Sequence, residues 1–310
     1  MLELLAAGWG IKKASIHPMP SLYGKAWLVY AEQGKKYVLK EQFGHLLKAE
    51  HAVLFCLDAQ KMPVAVPVAT AGGRYHATFE KRFYCLYPFL PGDVVSDYFT
   101  AGAEKRAYLF GKAIGKLHLA LRNCRHPAFP VVEWGAMAPD LADLPEQFKS
   151  AQLDCQHLEG AIARFAAEYD PLAESLPRHL THGDLHPGNM LFQGETVTGY
   201  FDFEIVAHRP RIYDPVYCAA AMFLFAFPDP GKSELWLDLL PALLKGYSSA
   251  GKLTENERRA VFPVMLASFL SMISVHCQNG AFTYAAFIDN VLAWIHENEA
   301  RIKQKAAGFK

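Results

Sequence analysis

The sequence lacks several features that assign a protein to a broad class. Its 31 basic and 31 acidic residues cancel, so the chain as a whole gives no reason to expect nucleic acid or an acidic membrane as a partner. It contains no internal repeat and no low-complexity tract. The first residues are acidic and short of apolar length, unlike a signal peptide. We therefore expect a cytosolic protein that binds neither nucleic acid nor a membrane.

The sequence also lacks Cys-x-x-Cys motifs and apolar runs long enough to span a membrane. The six cysteines are scattered, without a Cys-x-x-Cys pair, and this predicts reduced thiols in a cytosolic protein. The apolar runs at 216–227 and 261–273 span about a dozen residues each, whereas a membrane span needs roughly 20. They predict buried core helices. The 310 residues, 52% of them hydrophobic, can build two compact units with a substantial core.

The most informative segment is Thr-His-Gly-Asp-Leu-His-Pro-Gly-Asn at 181–189, followed by Asp-Phe-Glu at 202–204. In kinase chemistry an Asp accepts the proton of the attacking hydroxyl, and an Asn and a later Asp hold Mg²⁺. Asp184, Asn189 and Asp202 have this order. Because Mg²⁺ takes oxygen ligands and keeps several waters, an amide and a carboxylate suffice. The sequence predicts Asp184 as the base and Asn189 and Asp202 as metal ligands.

Two β-prone runs, 190–193 and 197–201, flank a polar turn and predict a hairpin that returns Asp202 towards Asn189. Other interpretations of the segment exist. An Asp before Gly can be only a turn former, and His179, His182 and His186 could suggest zinc. Zinc usually needs three or four nitrogen or sulfur ligands, and no cysteine pair accompanies these histidines. The ordered set favours Mg²⁺, with His182 fixing the loop by hydrogen bonding.

The segment resembles the aminoglycoside phosphotransferase and choline kinase superfamily, the small-molecule branch of the protein-kinase-like fold. This branch typically has His-Gly-Asp where protein kinases have His-Arg-Asp. Tyr-Asp-Pro at 213–215 is similar to a later motif of the branch. The resemblance, which covers roughly 23–217, implies that Asp214 supports the catalytic loop or the substrate pocket. The residues alone also allow Asp214 to cap a helix that begins near Pro215.

The resemblance implies a lysine on a strand and a glutamate on the following helix. Runs at 26–31 and 37–40 predict two strands, and helical periodicity follows at 46–57. Lys40 ends the second strand, as in the kinase pattern in which the lysine reaches the nucleotide phosphates. Glu50 would be its ion-pair partner. Both residues could instead be solvated surface charges.

Further nucleotide contacts follow from the same resemblance. The chain has no Gly-x-Gly-x-x-Gly loop; Ser21, Gly24 and Lys25 are candidate phosphate neighbours, although an ordinary hairpin turn also explains them. Two β-prone runs at 74–79 and 82–89 follow. The second leads to the implied hinge, where the backbone would contact the adenine. Its candidate residues are Leu86, Tyr87, Pro88, Phe89 and Leu90.

The carboxyl-terminal part is predicted to be mainly helical, with a helix at 103–121 and a capping box at Thr254 and Glu257. We expect His118 to be a packed structural residue. Carboxylates and aromatic rings could bind a cationic or polyhydroxylated substrate. The candidates for this role are Glu204, Glu133, Trp134, Asp140 and Asp143. The stretch 133–143 could instead be only a polar connection. His208, Arg209 and Arg211, near Asp214, would instead suit a carboxylated or phosphorylated substrate.

The sequence therefore predicts an α+β, bilobal protein-kinase-like fold. An ATP-binding lobe with a small antiparallel sheet would span 1–90, and a mainly helical catalytic and substrate-binding lobe 91–310. The expected activity is phosphorylation of a small-molecule hydroxyl with ATP and Mg²⁺, the acceptor being an amino alcohol, a sugar or an aminoglycoside. A non-catalytic kinase-like protein that binds nucleotide or acts as a scaffold is the alternative.

Overall fold

The computed structural model describes residues 1–19, 25–133, 141, 143–153 and 156–309. The chain forms two compact units. Unit 1 comprises Met1–Val94, Asn123–Phe129 and Met190–Val206, and unit 2 comprises Val95–Arg122, Pro130–Asn189 and Ala207–Lys310. The segment that carries Asp202 thus belongs to unit 1, whereas the segment that carries Asp184 belongs to unit 2. The division into lobes at residue 90 stays a prediction.

A five-stranded antiparallel sheet organises unit 1, in the order β1-β2-β3-β5-β4. Its strands are β1 (Ala14–Met19), β2 (Ala26–Ala31), β3 (Lys36–Gln42), β4 (Ala77–Phe79) and β5 (Arg82–Pro88). The predicted strands at 26–31 and 37–40 are present, but β3 continues to Gln42, so Lys40 does not end it as predicted. Lys40 lies on the central strand, opposite Ala26 of β2 and Cys85 of β5.

The core of unit 1 lies between the sheet and helix α1 (Leu2–Trp9). One hydrophobic cluster joins the helix to three strands and contains Leu4, Leu5, Val29, Leu39, Tyr84 and Leu86. Because side chains alternate along a strand, Lys40 and Gln42 emerge on the face opposite Leu39. Helix α2 (Leu47–Ala59), which confirms the predicted helix, carries Glu50 to the side chain of Gln42.

The predicted hairpin is confirmed. Strands β8 (Met190–Gln193) and β9 (Thr196–Tyr200) pair antiparallel, and the short β6 (Asp93–Val94) pairs with β8. Tyr200 is fully buried and its backbone amide donates to the Pro63 carbonyl. The hairpin is thereby anchored in unit 1 immediately before Asp202.

Unit 2 is mainly helical. Strands β7 (Arg178–Thr181) and β10 (Ala207–Pro210) pair antiparallel, and β7 leads into the segment 182–189. The helices are α3 (Ala103–Leu121), α4 (Leu144–Ser150), α5 (Gln156–Tyr169), α6 (Tyr213–Ala226), α7 (Pro230–Ser248), α8 (Glu255–Gln278), α9 (Phe282–Glu297) and α10 (Glu299–Gly308). The predicted helix at 103–121 and the capping box at Thr254 and Glu257 are confirmed.

Helices α3 and α7 pack with their backbones unusually close. A Cβ atom on Gly111 would lie 1.9 Å from the Leu243 carbonyl oxygen, and one on Gly246 would lie 2.0 Å from that of Tyr108. The helices cannot move apart without creating a cavity in the core, since protein interiors are close-packed. Glycine is therefore required at both positions.

We expect Gly111→Ala to destabilise the protein by about 1–3 kcal/mol or more, because the added methyl meets backbone atoms. Gly160→Ala, in helix α5, is the matched control, since its Cβ would approach nothing closer than the His296 ring at 3.8 Å. It should stabilise by about 0.5–1 kcal/mol through helix propensity. Urea denaturation measures both changes, and equal signs would contradict the close approach of α3 and α7.

The predicted apolar runs lie in buried helices, but one helix is longer than expected. The run at 261–273 is part of α8, whose 24 residues make it long and apolar enough to cross a membrane by length and composition. In the fold 72% of its apolar window is buried. A core helix passes the same test, so this helix is weak evidence for a membrane span.

The prediction of reduced thiols is wrong for one pair. Cys56 and Cys124 form a disulfide, with Cα atoms 5.8 Å apart. Their separation of 68 residues gives no local signal, and only the fold brings the end of α2 to the segment after α3. Cys85, Cys218 and Cys277 are free and buried. Cys155 lies outside the described residues.

Candidate active site

The segment 182–189 is a tight loop between β7 and β8. The His182 ring accepts the Asp184 amide at 3.2 Å, and the His186 ring accepts the Gly188 amide at 3.0 Å. The Asn189 side-chain amide donates to the Asp184 carbonyl at 2.8 Å. Each histidine therefore bonds the backbone two residues further on, and the loop is fixed from within.

Asp214, in the first turn of α6, anchors this loop from outside. Its carboxylate accepts the backbone amides of His182 at 2.8 Å and Gly183 at 2.9 Å. Gly183 has φ of 91°, which glycine adopts without strain. Of the two roles implied for Asp214, the geometry matches support of the loop. It does not cap α6, whose N-cap residue is Ile212.

A buried histidine completes the anchor. His118 Nε2 donates to Asp214 Oδ2 at 2.8 Å, and its Nδ1 shares a hydrogen bond with the Tyr247 hydroxyl at 2.9 Å. Burial alone would raise the pKa of Asp214, but the hydrogen bond and charge of His118 outweigh it and hold the pKa below the ordinary value. Asp214 therefore stays ionised beneath the loop. His118 is packed in the core, as expected.

Asp184 is held yet accessible. Its Oδ1 accepts the Tyr217 hydroxyl at 2.5 Å, and its Oδ2 accepts the Asn189 amide at 3.3 Å. The side chain keeps 31% of its surface exposed. A carboxylate that is oriented by donors and still reachable from solvent has the geometry that a general base needs.

Lys40 forms a charged cluster with the segment after the hairpin. Its ammonium lies 2.7 Å from Asp202 and 2.7 Å from Glu204. Burial disfavours the ammonium, but the charges of both carboxylates outweigh it and raise the pKa of Lys40 above its ordinary value. Asp202 has φ of 71°, a conformation that Asp tolerates better than most residues. Such backbone strain is typical of functional sites.

The predicted ion pair between Lys40 and Glu50 differs from the structure. Among the described residues the ion pairs of Lys40 are those with Asp202 and Glu204, whereas Glu50 accepts the side-chain amide of Gln42 at 2.9 Å. Burial, opposed by the charge of Lys40, raises the pKa of Glu50 to about 7. Asp202 and Glu204 therefore pair with Lys40 in place of the expected Glu50.

This buried carboxyl predicts a pH-dependent stability. The folded protein keeps the Glu50 proton up to about pH 7, whereas an ordinary carboxyl releases it near 4.5. The folded state binds more protons between these values, so stability falls as pH rises through that window. Glu50→Gln has no carboxyl at this position, so its stability should not fall in this window. Its free energy of unfolding relative to wild type should therefore increase from pH 5 to pH 8, by at most on the order of 3 kcal/mol.

Urea denaturation at both pH values measures this change. Val53→Ala, a buried change on the same helix without a titrating group, is the control and should cost the same at each pH. If Glu50→Gln shows the same offset from wild type at pH 5 and pH 8, the carboxyl is not perturbed.

The phosphate-loop and hinge candidates are only partly described. Ser21 and Gly24 lie outside the described residues, and Lys25 is exposed. Two backbone groups near the expected hinge already have partners, since the Leu86 carbonyl accepts from Val68 at 2.7 Å and the Phe89 amide donates to Lys36 at 3.1 Å. Leu86 and Tyr87 are buried, whereas Phe89 is 41% exposed.

The described substrate candidates each have a different partner. Glu204 is engaged by Lys40, and Arg209 is buried with its guanidinium 5.1 Å from the centre of the Tyr213 ring. Glu133 pairs with Arg178 at 3.1 Å. Trp134 and Asp140 lie outside the described residues. The zinc interpretation has no support in the described part of the chain, where no group of three or more His, Cys, Asp or Glu could hold a metal.

Sequence reasoning did not identify Tyr217 and Tyr247 as members of the site. Tyr217 lies three residues after Asp214, and Tyr247 reaches His118 across 129 residues. A tyrosine in the first turns of an apolar helix is an ordinary core residue by pattern. Only the fold shows that the Tyr217 hydroxyl contacts Asp184 of the loop.

The family model of the phosphotransferase enzyme family matches residues 18–258, further towards the carboxyl terminus than the predicted end near 217. Homoserine kinase of Zymomonas mobilis is 28% identical over 214 residues, 68% of this chain and 62% of that protein. Hydroxylysine kinase of Mus musculus is 22% identical over 313 residues, 89% of this chain and 81% of that protein. The chain spans somewhat less than two thirds of the length of the homoserine kinases to which it is similar.

Solved structures share the fold. A microcompartment-associated aminopropanol kinase has a TM-score of 0.72 at 16% identity, covering 97% of both chains. An amicoumacin kinase has a TM-score of 0.71 at 17% identity, covering 100% of this chain and 94% of that one. The predicted α+β, protein-kinase-like fold is therefore confirmed. With its family model matched over most of its length, the chain belongs to the phosphotransferase enzyme family.

Proposed function

We propose that this protein transfers the γ-phosphoryl group of ATP to a hydroxyl of a small molecule. The observation that carries the proposal is Asp184, a carboxylate 31% exposed on a loop whose amides are fixed by Asp214. A protein that only binds nucleotide has no need of such a base.

Each residue has a separate task in this reaction. Lys40 offers a permanent positive charge to the nucleotide phosphates, exchanging contacts with Asp202 and Glu204 for contacts with phosphate oxygens. Asp184 accepts a hydrogen bond from the acceptor hydroxyl and aligns it for in-line attack. It takes the proton as the acceptor oxygen bonds to the γ-phosphorus and the bond from that phosphorus to the ADP oxygen breaks, so that ADP leaves. Catalysis is mainly positioning and electrostatic stabilisation.

Asn189 and Asp202 are the proposed Mg²⁺ ligands. The donor set fits, because an amide oxygen and a carboxylate are hard ligands and Mg²⁺ needs few from the protein. The Asn189 side-chain nitrogen is committed to the Asp184 carbonyl, which leaves its oxygen for a cation. When bound, Mg²⁺ would neutralise charge on the phosphates. The similar amicoumacin kinase was solved with AMP-PNP and Ca²⁺, in agreement with ATP and a divalent metal.

The acceptor that we propose is an amino alcohol. Three of the similar proteins are a homoserine kinase, a hydroxylysine kinase and an aminopropanol kinase, and each of these names describes a molecule with an amine and a hydroxyl. Sugars and aminoglycosides are the competing acceptors. Arg209 stays a candidate contact for an acceptor carboxylate. The other two substrate candidates have different roles in this proposal: Asp214 supports the loop, and Glu204 pairs with Lys40.

The remaining contacts complete the proposal. The backbone around Leu86–Leu90 would contact the adenine. Glu50 would support the strand that carries Lys40 through its hydrogen bond with Gln42. The phosphates would be approached by Ser21, Gly24 and Lys25. We place the enzyme in the cytosol, without nucleic acid or membrane partners. The Cys56–Cys124 disulfide is the observation against that location, because disulfides are rare there.

A substrate screen tests the proposal. The protein is incubated with ATP, Mg²⁺ and pooled amino alcohols, sugars and aminoglycosides, and mass spectrometry follows ADP and phosphorylated products. We expect ADP and one phosphorylated amino alcohol in equal amounts. ATP binding without any phosphorylated product would favour the alternative, a nucleotide-binding or scaffold protein.

A further inference from the structure

The hydrogen bond between Tyr217 and Asp184 concerns the proposed base itself. Tyr217 lies on α6, one turn after Tyr213, and its hydroxyl donates to Asp184 Oδ1 at 2.5 Å. The other oxygen, Oδ2, accepts the Asn189 amide at the longer distance of 3.3 Å. The two oxygens of the carboxylate are therefore not equivalent. Oδ1 has a short bond to a phenol, whereas Oδ2 has the longer bond from Asn189 and a 3.9 Å contact with His186 Nε2.

The phenol is itself held in place. The Tyr213 and Tyr217 rings stack with centroids 5.5 Å apart and planes 28° apart. Burial and the charge of Asp184 raise the pKa of Tyr217 well above its ordinary value. Tyr217 therefore stays a neutral donor, and its hydroxyl reaches the loop from a helix that also carries the loop anchor, Asp214.

A carboxylate needs such a restraint to act as an aligned base. The terminal torsion of an Asp side chain is broad, and the partly exposed Asp184 could rotate either oxygen towards an acceptor. In-line transfer is sensitive to the position of the acceptor oxygen, because a misplacement of about 1 Å can lower the rate about 100-fold. A donor fixed on Oδ1 defines the plane of the carboxylate and directs Oδ2 to the side of Asn189, the proposed metal ligand.

We infer that Tyr217 is a positioning residue that holds Asp184 by Oδ1 and so presents Oδ2 to the acceptor hydroxyl. The inference rests on the proposed phosphotransferase function. It assigns Tyr217 no contact with ATP and no part in proton transfer. Its loss should therefore lower turnover and leave the affinity for nucleotide unchanged.

The test is steady-state kinetics of Tyr217→Phe with the acceptor identified by the screen. The phenylalanine ring keeps the stacking on Tyr213 and loses only the hydroxyl. We expect kcat to fall about 10- to 100-fold, the scale of a small misplacement of reacting groups, with KM for ATP unchanged. Tyr284→Phe is the control, because it removes a phenol from a 43% exposed position on α9 of the same unit, outside the proposed catalytic and binding residues. Its kcat should equal that of wild type.

A double-mutant cycle separates positioning from general loosening of the fold. Residues that act through one another are non-additive, so Tyr217→Phe should cause no further loss in an Asp184→Asn background. An equal loss of kcat from Tyr217→Phe in both backgrounds would overturn the inference. A Tyr217→Phe variant with the kcat of an active wild type would overturn it as well. Both results leave the proposed function standing. A wild type inactive on every acceptor overturns the proposed function and this inference with it.

Discussion

Asp184→Asn is expected to lower kcat by about 10²–10⁴-fold, the usual contribution of general acid–base catalysis. The amide has the size of the carboxylate and its oxygen still accepts the Tyr217 hydroxyl, so the loop and nucleotide affinity should be preserved. Only the capacity to take a proton is lost. Kinetics with the identified acceptor and calorimetric titration with ATP measure the two quantities separately.

Asp238→Asn is the matched control. This carboxylate lies in the same unit, is 67% exposed and pairs with Lys305, and surface pairs of this kind contribute little. The control should have the kinetics of wild type. A stable Asp184→Asn protein with unchanged kcat would remove Asp184 from the role of base.

Asp202→Asn is expected to reduce kcat/KM at least about 100-fold, more than disturbing the outer shell of a metal site usually costs. Asn is chosen because it tolerates the φ of 71° at this position, whereas most residues would add strain. The substitution removes the charge of the proposed metal ligand and keeps its size. ATP titration with and without Mg²⁺ should show that the metal-dependent part of the affinity is lost.

Glu204→Gln separates metal binding from the charged cluster. Glu204 lies 2.7 Å from Lys40, the same distance as Asp202, but is not a proposed metal ligand. The control should keep the Mg²⁺-dependent increase in ATP affinity. If both variants keep it, Asp202 only pairs with Lys40 and the metal assignment is wrong.

The sequence predicted what depends on neighbouring residues. The hairpin after Asn189 follows from alternating β-prone residues around a polar turn, and helix α3 follows from its apolar periodicity. The order of Asp184, Asn189 and Asp202 indicated the chemistry, because each residue type matches a ligand or base requirement. None of this depends on contacts between distant parts of the chain.

Contacts between distant residues could not be predicted in the same way. Lys40 pairs with Asp202, 162 positions away, and the nearby helical Glu50 was the more obvious partner by pattern. Cys56 and Cys124 carry no local pairing signal. Tyr217 looks like a core residue until the fold shows its hydroxyl on Asp184. Such partners are decided by three-dimensional proximity, which residue types alone do not encode.

The central claim is direct transfer of phosphate from ATP to a small-molecule hydroxyl. Its most direct test is incubation with ATP labelled at the γ-phosphate, the acceptor pool and Mg²⁺, followed by separation of small molecules from protein. We predict that the label appears in a phosphorylated small molecule, and that the Asp184→Asn protein transfers far less. Label confined to inorganic phosphate or to the protein itself would contradict the account.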